Sequence, residues 1–445
     1  MAATQTPVGN VVEPQSYKQA ISGPDADKWH GSMKSEYDSI TGNNVYELVE
    51  LPGGKNAIST KWVYKIKLDS ENNPIKWKSR FVVRGFSQKP GVDYDLTHSP
   101  VASWRSIRLI MSMTAKEDYE LFQFDYDTAF LNAKLEEDIY VQQHEGYHKG
   151  GLRMVWKLNK ALYGLKQTPR EWNKTVHQLM IKLGYRNLIS DPCVYVKKTH
   201  TGRLMMIALY VDDSIVSVHK NDVQEWESDK KKISEVYPIK DLGECNWILN
   251  IKVIRDRQKR TITLSQQAYT ERIAAKHGLE ATRSVMTPAE DIDLWLPVAT
   301  AKLVELNSKD TTLYQSIVGE LLYAANITRP DISFITGRLC QYMAKPYEHQ
   351  LQAAKRVMRY LSQTAHYCIR FGDSAIAPKD SGLIAFSDSD YGECKETRRS
   401  TSGCLVVYNG DIIHWSSRKQ KIVTTSTTEA EYVALGEAVI HEDYS

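Results

Sequence analysis

The sequence lacks the features that mark membrane-spanning, secreted and zinc-binding proteins. Its six cysteines form no CxxC pair and no cluster with histidine, which argues against a structural zinc site and favours a reducing compartment over a disulfide framework. No apolar run approaches the roughly 18 residues of a membrane span, and the opening "MAATQTPVGNVVEPQ" has no leader pattern. There is also no internal repeat and no low-complexity segment. These absences predict a soluble, intracellular globular protein with no membrane partner.

The chain also has little net charge, but its charge is unevenly distributed. The formal net charge is only +3, from 57 Lys and Arg against 54 Asp and Glu. Between Lys55 and Lys89, however, nine basic residues stand against two acids, Asp69 and Glu71. That excess is typical of a surface that binds phosphate groups, although solvated hairpins are also often rich in lysine. At 445 residues the chain is too long for one core, and we expect about two to four domains.

Two adjacent carboxylates interrupt a strongly strand-forming segment, "LMMIALYVDDSIVSV" at residues 204–218. The apolar runs predict two strands, and Asp212 and Asp213 between them predict a tight turn. Aspartate is common in turns simply because its side chain bonds nearby backbone amides. The pair alone therefore leaves two interpretations open, a structural turn and a functional pair of carboxylates.

A third carboxylate follows from the strand pattern of "ELFQFDYDTAF". Alternation sends the three aromatic side chains to one face and Leu121, Gln123 and Asp125 to the other, which we expect to be open. A hairpin carrying Asp212 could then lie beside Asp125; the alternative is that Asp125 caps a helix beginning near Thr128. Converging carboxylates repel one another unless divalent cations lie between them. A pair of Mg²⁺ ions held in this way is the machinery of nucleotidyl transfer.

Hydrophobic periodicity predicts helices and strands along most of the chain, after a loose segment over the first 25 residues. The predicted helices are 25–40, 264–279, two or three helices over 316–343 and 349–364 with a break at Pro330, and one from about Thr428. The predicted strands are two around the turn "DSENNP" at 69–74, and those over 383–388, 403–408 and 411–416.

Several longer motifs carry a family resemblance. In this order, "QFDYDTAFLNAKLEEDIYV", "KALYGLKQTPREW", "LYVDDSIV" and "KDLGECNWILNIKV" resemble the successive polymerase motifs of copia-type retrotransposon reverse transcriptases. The resemblance extends upstream through "KWVYKIK" and "KSRFVVRGFSQKPGVDYDLTHSPV", and downstream through "SDSDYGECKETRRSTSGCLVVYNGDIIHWSSRKQ". It covers roughly residues 16–440. The ordered set is far more specific than any single motif, and it favours the functional interpretation of the aspartates.

By this resemblance, Asp125, Asp212 and Asp213 are the catalytic, metal-binding triad. Asp125 and Asp212 would bridge two Mg²⁺ ions, for which Mn²⁺ can substitute, and Asp213 would contribute mainly to the ion on the primer side. One nearby position departs from the family, because Asn250 in "WILNIKV" stands where glycine is usual in the strand that positions the primer end. Asparagine adopts positive φ angles more readily than most residues.

The resemblance also implies a set of residues that bind the incoming dNTP. Phe130 would lie under the sugar and clash with a 2′-hydroxyl; the alternative is a core aromatic on a helix over 128–135. Tyr163 and Gly164 match the segment beneath the templating base pair; the alternative there is a plain turn. Lys67 and Arg80 of the basic hairpin match the cations that hold the triphosphate, a task to which the guanidinium is suited by its two parallel bonds to phosphate.

The implied architecture is an α+β fold with a right-hand polymerase. The expected parts are an N-terminal extension leading into the fingers (1–54), reverse transcriptase fingers and palm (55–255), a thumb (256–290), a helical or mixed connection (291–378) and a C-terminally truncated RNase H-like α/β domain (379–445).

In the last of these parts, Asp388 and Glu431 match two carboxylates of RNase H. Glu429 is the alternative to Glu431, but the two point about 200° apart on a helix, and the "EYVA" pattern favours Glu431. The family needs a further aspartate on a later strand, and the sequence stops at Ser445. We therefore expect no RNase H activity, and we expect the apolar face of "EYVALGEAVI" to lack partners.

Three functional hypotheses remain. The first is an RNA- and DNA-directed DNA polymerase of a copia-type retrotransposon. Its partners would be dNTPs and an RNA or DNA template with its primer. It would be located in cytoplasmic retrotransposon particles with access to the nucleus. The second is a decayed or domesticated remnant that binds nucleic acid without polymerising it. The third, another two-metal nuclease or polymerase, is disfavoured by the ordered motifs. The intact triad and basic hairpin favour the first.

Overall fold

The computed structural model describes residues 12–68, 73–151, 153–279, 285–290, 304–373, 382–394 and 396–443. The chain forms two compact units, each built from helices and sheets. Unit 1 comprises Met1–Val101, Tyr126–Tyr185 and Lys231–Lys240, and unit 2 comprises Ala102–Asp125, Arg186–Lys230 and Asp241–Ser445. The mixture of helices and largely antiparallel sheets confirms the predicted α+β class.

The helices and strands are numbered in chain order. The helices are α1 (Tyr17–Ser22), α2 (Ala26–Gly42), α3 (Trp104–Lys116), α4 (Ala129–Asn132), α5 (Thr168–Lys182), α6 (Val223–Val236), α7 (Gln267–Lys276), α8 (Ser308–Ile327), α9 (Ser333–Cys340), α10 (Glu348–Gln363) and α11 (Thr427–Asp443). The strands are β1 (Tyr46–Glu50), β2 (Thr60–Leu68), β3 (Pro74–Val83), β4 (Tyr119–Tyr126), β5 (Tyr140–Val141), β6 (Met154–Leu158), β7 (Arg186–Asn187), β8 (Val194–Lys198), β9 (Leu204–Tyr210), β10 (Asp213–His219), β11 (Ile239–Glu244), β12 (Trp247–Ile248), β13 (Ile251–Asp256), β14 (Thr261–Ser265), β15 (Ile369–Phe371), β16 (Leu383–Ser389), β17 (Thr401–Tyr408) and β18 (Asp411–Lys419).

The hairpin of β2 and β3 in unit 1 has one buried and one exposed face. Trp62, Tyr64 and Ile66 alternate into the core of this unit, and the intervening Val63 and Lys65 are exposed. Helix α2 packs against β3, where the Ser79 amide donates to Ser32 Oγ at 2.7 Å. The opposite face of the hairpin is thereby left to display its cations.

The largest sheet, in unit 2, has the strand order β11-β4-β10-β9-β8-β7. Helix α3 covers the face of this sheet that carries Leu121 and Gln123. Ser217 of β10 stands opposite Leu121, and its hydroxyl shares a 2.6 Å hydrogen bond with Thr114 of α3. Leu121 and Gln123 are only 2% and 9% exposed. The prediction of an open face is therefore wrong for these two residues, although Asp125 at the strand end remains half-buried.

Helices α7–α10 form a further core within unit 2. Their fully buried residues include Tyr314, Leu321 and Val357. The Asn307 side chain caps α8 by accepting from the Asp310 amide at 3.0 Å. Pro330 begins a short 3₁₀ turn between α8 and α9, and the predicted helix break there is confirmed.

A three-stranded antiparallel sheet, β16-β17-β18, carries α11 on one side near the end of the chain. Ala430, Ala434 and Ala438 are fully buried, and their four-residue spacing puts them on one face of the helix. The expectation that this helix lacks partners is therefore wrong for its alanine face. Tyr432 and Leu435 are nevertheless exposed.

A buried arginine links three segments of unit 2. Arg108 of α3 is 2% exposed and donates to the carbonyls of Asn326, Ile327 and Ile413. Its guanidinium lies 3.9 Å from the centroid of the Trp415 ring. Burial, followed by the charge of the nearby Arg105, lowers the pKa of Arg108 to about 9. The last carbonyls of α8, which no helical amide can satisfy, thus receive their donors from another element.

Two local predictions differ from the structure. The first 25 residues were expected to be loose, but Tyr17–Ser22 form α1 with Ser16 as its N-cap; residues 1–11 lie outside the described part, as do residues 69–72 of the predicted turn. The helix expected over 128–135 shrinks to four residues, because Thr128 has a φ of 50° and Ala133 is already extended. The other predicted helices and strands are present, but α8 begins at Ser308, well before the start predicted at residue 316.

Among the helices of the described residues, none combines the length and the apolar character needed to cross a bilayer.

Candidate active site

The paired aspartates lie at the tip of a tight hairpin in unit 2. Strands β9 and β10 pair with Tyr210 opposite Asp213, so Val211 and Asp212 alone form the turn, which confirms the turn predicted there. Val211 has a φ of 63°, a conformation that is rare and strained for a β-branched side chain. Strain of this kind persists only where the surrounding structure enforces it, and it concentrates at functional sites.

The strand pairing brings the third carboxylate next to this turn. Asp125 of β4 stands directly opposite Asp213 of β10, so the two side chains share one face of the sheet. Both are half-buried, as is Asp212. Within the described residues, no group of three or more His, Cys, Asp or Glu side chains is close enough to form a ready metal site. The backbone therefore places the three aspartates next to one another, but their side chains do not converge on a shared metal position.

The electrostatics around Asp213 are those of a site with excess negative charge. Burial, and then the charge of Asp212, raise the pKa of Asp213, while a hydrogen bond from Gln123 lowers it. The donor set on this face consists of carboxylate oxygens, which are the ligands that Mg²⁺ prefers. The chemistry of these residues thus fits a divalent cation.

A cavity of about 440 Å³ adjoins Asp213 within unit 2. Its lining residues are Trp104, Gln123, Tyr210, Asp213, Trp247, Leu249, Asn250 and Tyr323. Leu249 and Asn250 form the two-residue turn between β12 and β13, with φ angles of 48° and 66°. The Tyr323 hydroxyl donates to the Leu249 carbonyl at 3.1 Å and supports this turn. Asn250 thus adopts the positive φ that would otherwise favour glycine.

A second group of predicted site residues lies together in unit 1. The Arg80 guanidinium lies 4.8 Å from the centroid of the Tyr163 ring, and Phe130 meets that ring edge-on at 5.5 Å between centroids. Gly164 has a φ of 93°, and a Cβ atom there would lie 2.1 Å from the Val83 carbonyl oxygen. Only glycine allows this approach between the two backbones. Arg80, Phe130, Tyr163 and Gly164 are therefore one contiguous cluster.

Lys67 belongs to the same hairpin face but not to this cluster. Arg80 pairs with Val63 across the hairpin, whereas Lys67 pairs with Lys76, four positions further along β2. Lys78 lies between them, and its pKa is lowered by burial and then by the charges of Arg80 and Lys67. This mutual repulsion would be relieved by a bound anion.

The two candidate carboxylates of α11 have different surroundings. Glu429 accepts from the Thr425 amide at 2.6 Å, while its own amide donates to Ser426 Oγ, so it serves as a helix cap. Glu431 is exposed on the same helix, and Asp388 is exposed near the end of β16 opposite Gly403. The cap leaves Glu431 as the residue available for another role.

Two features of the site escaped the sequence analysis. Gln123, which bonds Asp213, could have been found as the residue two positions before Asp125 on the same face of the strand. The strained φ of Val211 carries no signal in the sequence beyond the shortness of the turn.

Comparisons with known proteins agree with the sequence motifs. Residues 43–291, more than half of the chain, match the family model described as "Reverse transcriptase (RNA-dependent DNA polymerase)". The chain is 39% identical over 428 residues to "Retrovirus-related Pol polyprotein from transposon TNT 1-94" of Nicotiana tabacum, a match covering 96% of this chain and 32% of that protein. It is 32% identical to a transposon Ty5-1 protein of Saccharomyces cerevisiae, over 71% of this chain and 99% of that protein.

Among solved structures, a foamy viral protease-reverse transcriptase in complex with ds DNA aligns with a TM-score of 0.49 and 14% sequence identity, covering 92% of this chain and 60% of that chain. The chain spans about a third of the length of the plant Pol polyproteins that it matches. The family model and the related transposon proteins confirm the resemblance drawn from the motifs. The chain belongs to the reverse transcriptase (RNA-dependent DNA polymerase) family, and within it to the copia-type retrotransposon Pol proteins.

Proposed function

We propose that this chain is an RNA- and DNA-directed DNA polymerase that extends a primer at the Asp125, Asp212 and Asp213 triad. The observation that supports this most directly is the register of β4 and β10, which sets Asp125 opposite Asp213 with Asp212 in the adjoining turn. Its substrates would be an RNA or DNA template with its primer, and dNTPs.

Asp125, Asp212 and Asp213 would hold two Mg²⁺ ions, for which Mn²⁺ can substitute. When bound, such ions activate the 3′-hydroxyl of a primer and neutralise charge on the triphosphate. The protein itself fixes where these carboxylates stand. The strained turn at Val211 fixes the position of Asp212 at the tip of the hairpin. Gln123 orients the Asp213 carboxylate by donating a hydrogen bond to it.

The cavity beside Asp213 has the surroundings to receive the terminal nucleotide of a primer. Its walls combine the turn at Leu249 and Asn250 with four aromatic side chains, those of Trp104, Tyr210, Trp247 and Tyr323. Tyr323 fixes that turn through the Leu249 carbonyl. A rigid turn of this kind would hold the sugar of the terminal nucleotide against Asp213 and limit its motion.

For the dNTP, we propose the cluster on unit 1. Arg80 would donate to the triphosphate, a role supported by its buried Nε, which has no hydrogen-bond partner among the described residues. Lys67 would add charge further along the hairpin. Phe130 would lie under the sugar, and its edge-on contact with Tyr163 would keep its ring in place. Tyr163 and Gly164 would lie beneath the templating pair, and the close contact of Gly164 with Val83 would hold their segment against β3.

The subdivision of the chain is also a proposal. Residues 1–54 would lead into the fingers, 55–255 would form fingers and palm, 256–290 the thumb, 291–378 the connection and 379–445 an RNase H-like domain. Parts of 256–290 and 291–378 lie outside the described residues. Reverse transcription would take place in cytoplasmic particles with access to the nucleus.

The test is extension of a labelled DNA primer on matched RNA and DNA templates, with Mg²⁺ or Mn²⁺ and with the metal chelated. We expect extension on both templates that depends on the metal and is lost in Asp125→Asn. A protein that binds the primer–template tightly but extends neither template would support the remnant hypothesis instead.

A further inference from the structure

One aromatic side chain in unit 1 is held in contact with solvent. Phe86 is 80% exposed and lies in the short 3₁₀ turn Gly85–Ser87, directly after β3. Two more apolar side chains follow closely, Val92 at 69% and Leu96 at 62% exposure. A single exposed apolar residue is ordinary, but three between Phe86 and Leu96 make this segment a candidate binding surface.

The turn that carries Phe86 is fixed to the segment beginning at Gly164. Gln88 is 4% exposed; its side chain donates to Gln167 Oε1 at 3.1 Å and accepts from the Lys166 amide at 2.8 Å. Gly85 packs so closely that a Cβ atom on it would lie 2.1 Å from the Gly164 carbonyl oxygen. These contacts prevent the turn from folding Phe86 inward.

The surroundings of Phe86 are basic. Arg84 and Lys89 flank the turn and are both exposed. The turn also continues directly from β3, whose exposed face carries Lys76 and Lys78 as well as Arg80. Aromatic rings beside a basic track are the means by which proteins bind single-stranded nucleic acid, since every base offers a face for stacking.

We propose that Phe86 stacks on an unpaired base of the template strand, beside the Tyr163–Gly164 segment. This inference rests on the proposed function, because that segment is assigned to the templating pair. The occupant is the single-stranded part of the template, which offers both a base for the ring and phosphates for Arg84 and Lys89. Within a duplex, both faces of a paired base are already stacked on its neighbours, so only an unpaired base can take the Phe86 ring.

The test compares two ligands by fluorescence anisotropy, without divalent metal so that no extension occurs. One is an RNA–DNA primer–template with a template overhang of about six nucleotides, and the other is the same hybrid with blunt ends. The variants are Phe86→Ala and Phe86→Trp, and the matched control is Ile75→Ala, which removes a 61% exposed apolar side chain from β3.

We expect Phe86→Ala to raise the Kd for the overhang ligand about tenfold, or about 1.4 kcal/mol, and to leave the Kd for the blunt hybrid unchanged. Phe86→Trp should keep wild-type affinity, and Ile75→Ala should change neither Kd. An unchanged overhang Kd in Phe86→Ala, or an equal loss on both ligands, would overturn the proposal.

The binding assay also separates this proposal from that of polymerase activity. A wild-type protein that never extends a primer, but loses overhang affinity only in Phe86→Ala, refutes the polymerase and retains the stacking. An active polymerase whose Phe86→Ala variant binds the overhang normally refutes the stacking alone.

Discussion

Replacement of Arg108 by methionine tests how strongly unit 2 depends on its buried cation. The variant keeps an unbranched apolar chain but removes the donors to the carbonyls of Asn326, Ile327 and Ile413, and the contact with the Trp415 ring. Each buried carbonyl left unpaired costs about 1–3 kcal/mol. Burying the guanidinium charge is itself unfavourable, which is why the Arg108 pKa is lowered to about 9. Removing the charge in Arg108→Met therefore recovers part of the lost stability.

We therefore expect Arg108→Met to lower the free energy of unfolding by about 3 kcal/mol. Arg108→Lys should lose less, since one ammonium can still reach part of the carbonyl set. Arg105→Met, on the same helix but half-buried, is the control and should lose under about 1 kcal/mol. Urea unfolding followed by tryptophan fluorescence measures all three. An Arg108→Met protein as stable as the wild type would refute the view that Arg108 joins α3, α8 and β18.

Two further outcomes follow from the structure. Burial lowers the pKa of His144 to about 4 from 6.5, so between these values the unfolded chain takes up a proton that the folded chain does not. Stability should fall by up to about 3 kcal/mol as the pH drops through that window, and His144→Phe should flatten this dependence in urea titrations; an equally steep slope in the variant would contradict it. If Phe130 lies under the sugar, Phe130→Val should raise ribonucleotide incorporation at least about tenfold in single-turnover kinetics, and unchanged selectivity would instead favour a core role.

The local features of the site were accessible from the sequence. Strand-forming runs on both sides of Asp212 predict a hairpin with a tight turn, and the structure has a two-residue turn there. The tolerance of asparagine for positive φ likewise predicts that Asn250 can replace glycine in its turn, and Asn250 has a φ of 66°. Both features depend on a few adjacent residues, which is why a short stretch of sequence contains them.

The features that depend on distant contacts were not accessible. Alternation along β4 separates its two faces correctly, but only the packing of α3 decides that Leu121 and Gln123 are covered. The register that sets Asp125 opposite Asp213 joins residues far apart in the chain, and strand periodicity alone does not fix it. The exposure of Phe86 depends on the pairing of Gln88 with Gln167, which a single sequence does not reveal.

The most direct measurement is primer extension on an RNA template by the wild type and by Asp212→Asn, at equal occupancy of the primer–template and with Mg²⁺ present. Asp256→Asn, which neutralises a half-buried carboxylate at the end of β13, is the matched control. We expect the wild type and Asp256→Asn to extend the primer, and Asp212→Asn to be slower by at least about a hundredfold. Without metal, the Tm of Asp212→Asn should stay level or rise, because the variant relieves repulsion with Asp213. Extension by Asp212→Asn at the wild-type rate would contradict the assignment of the triad.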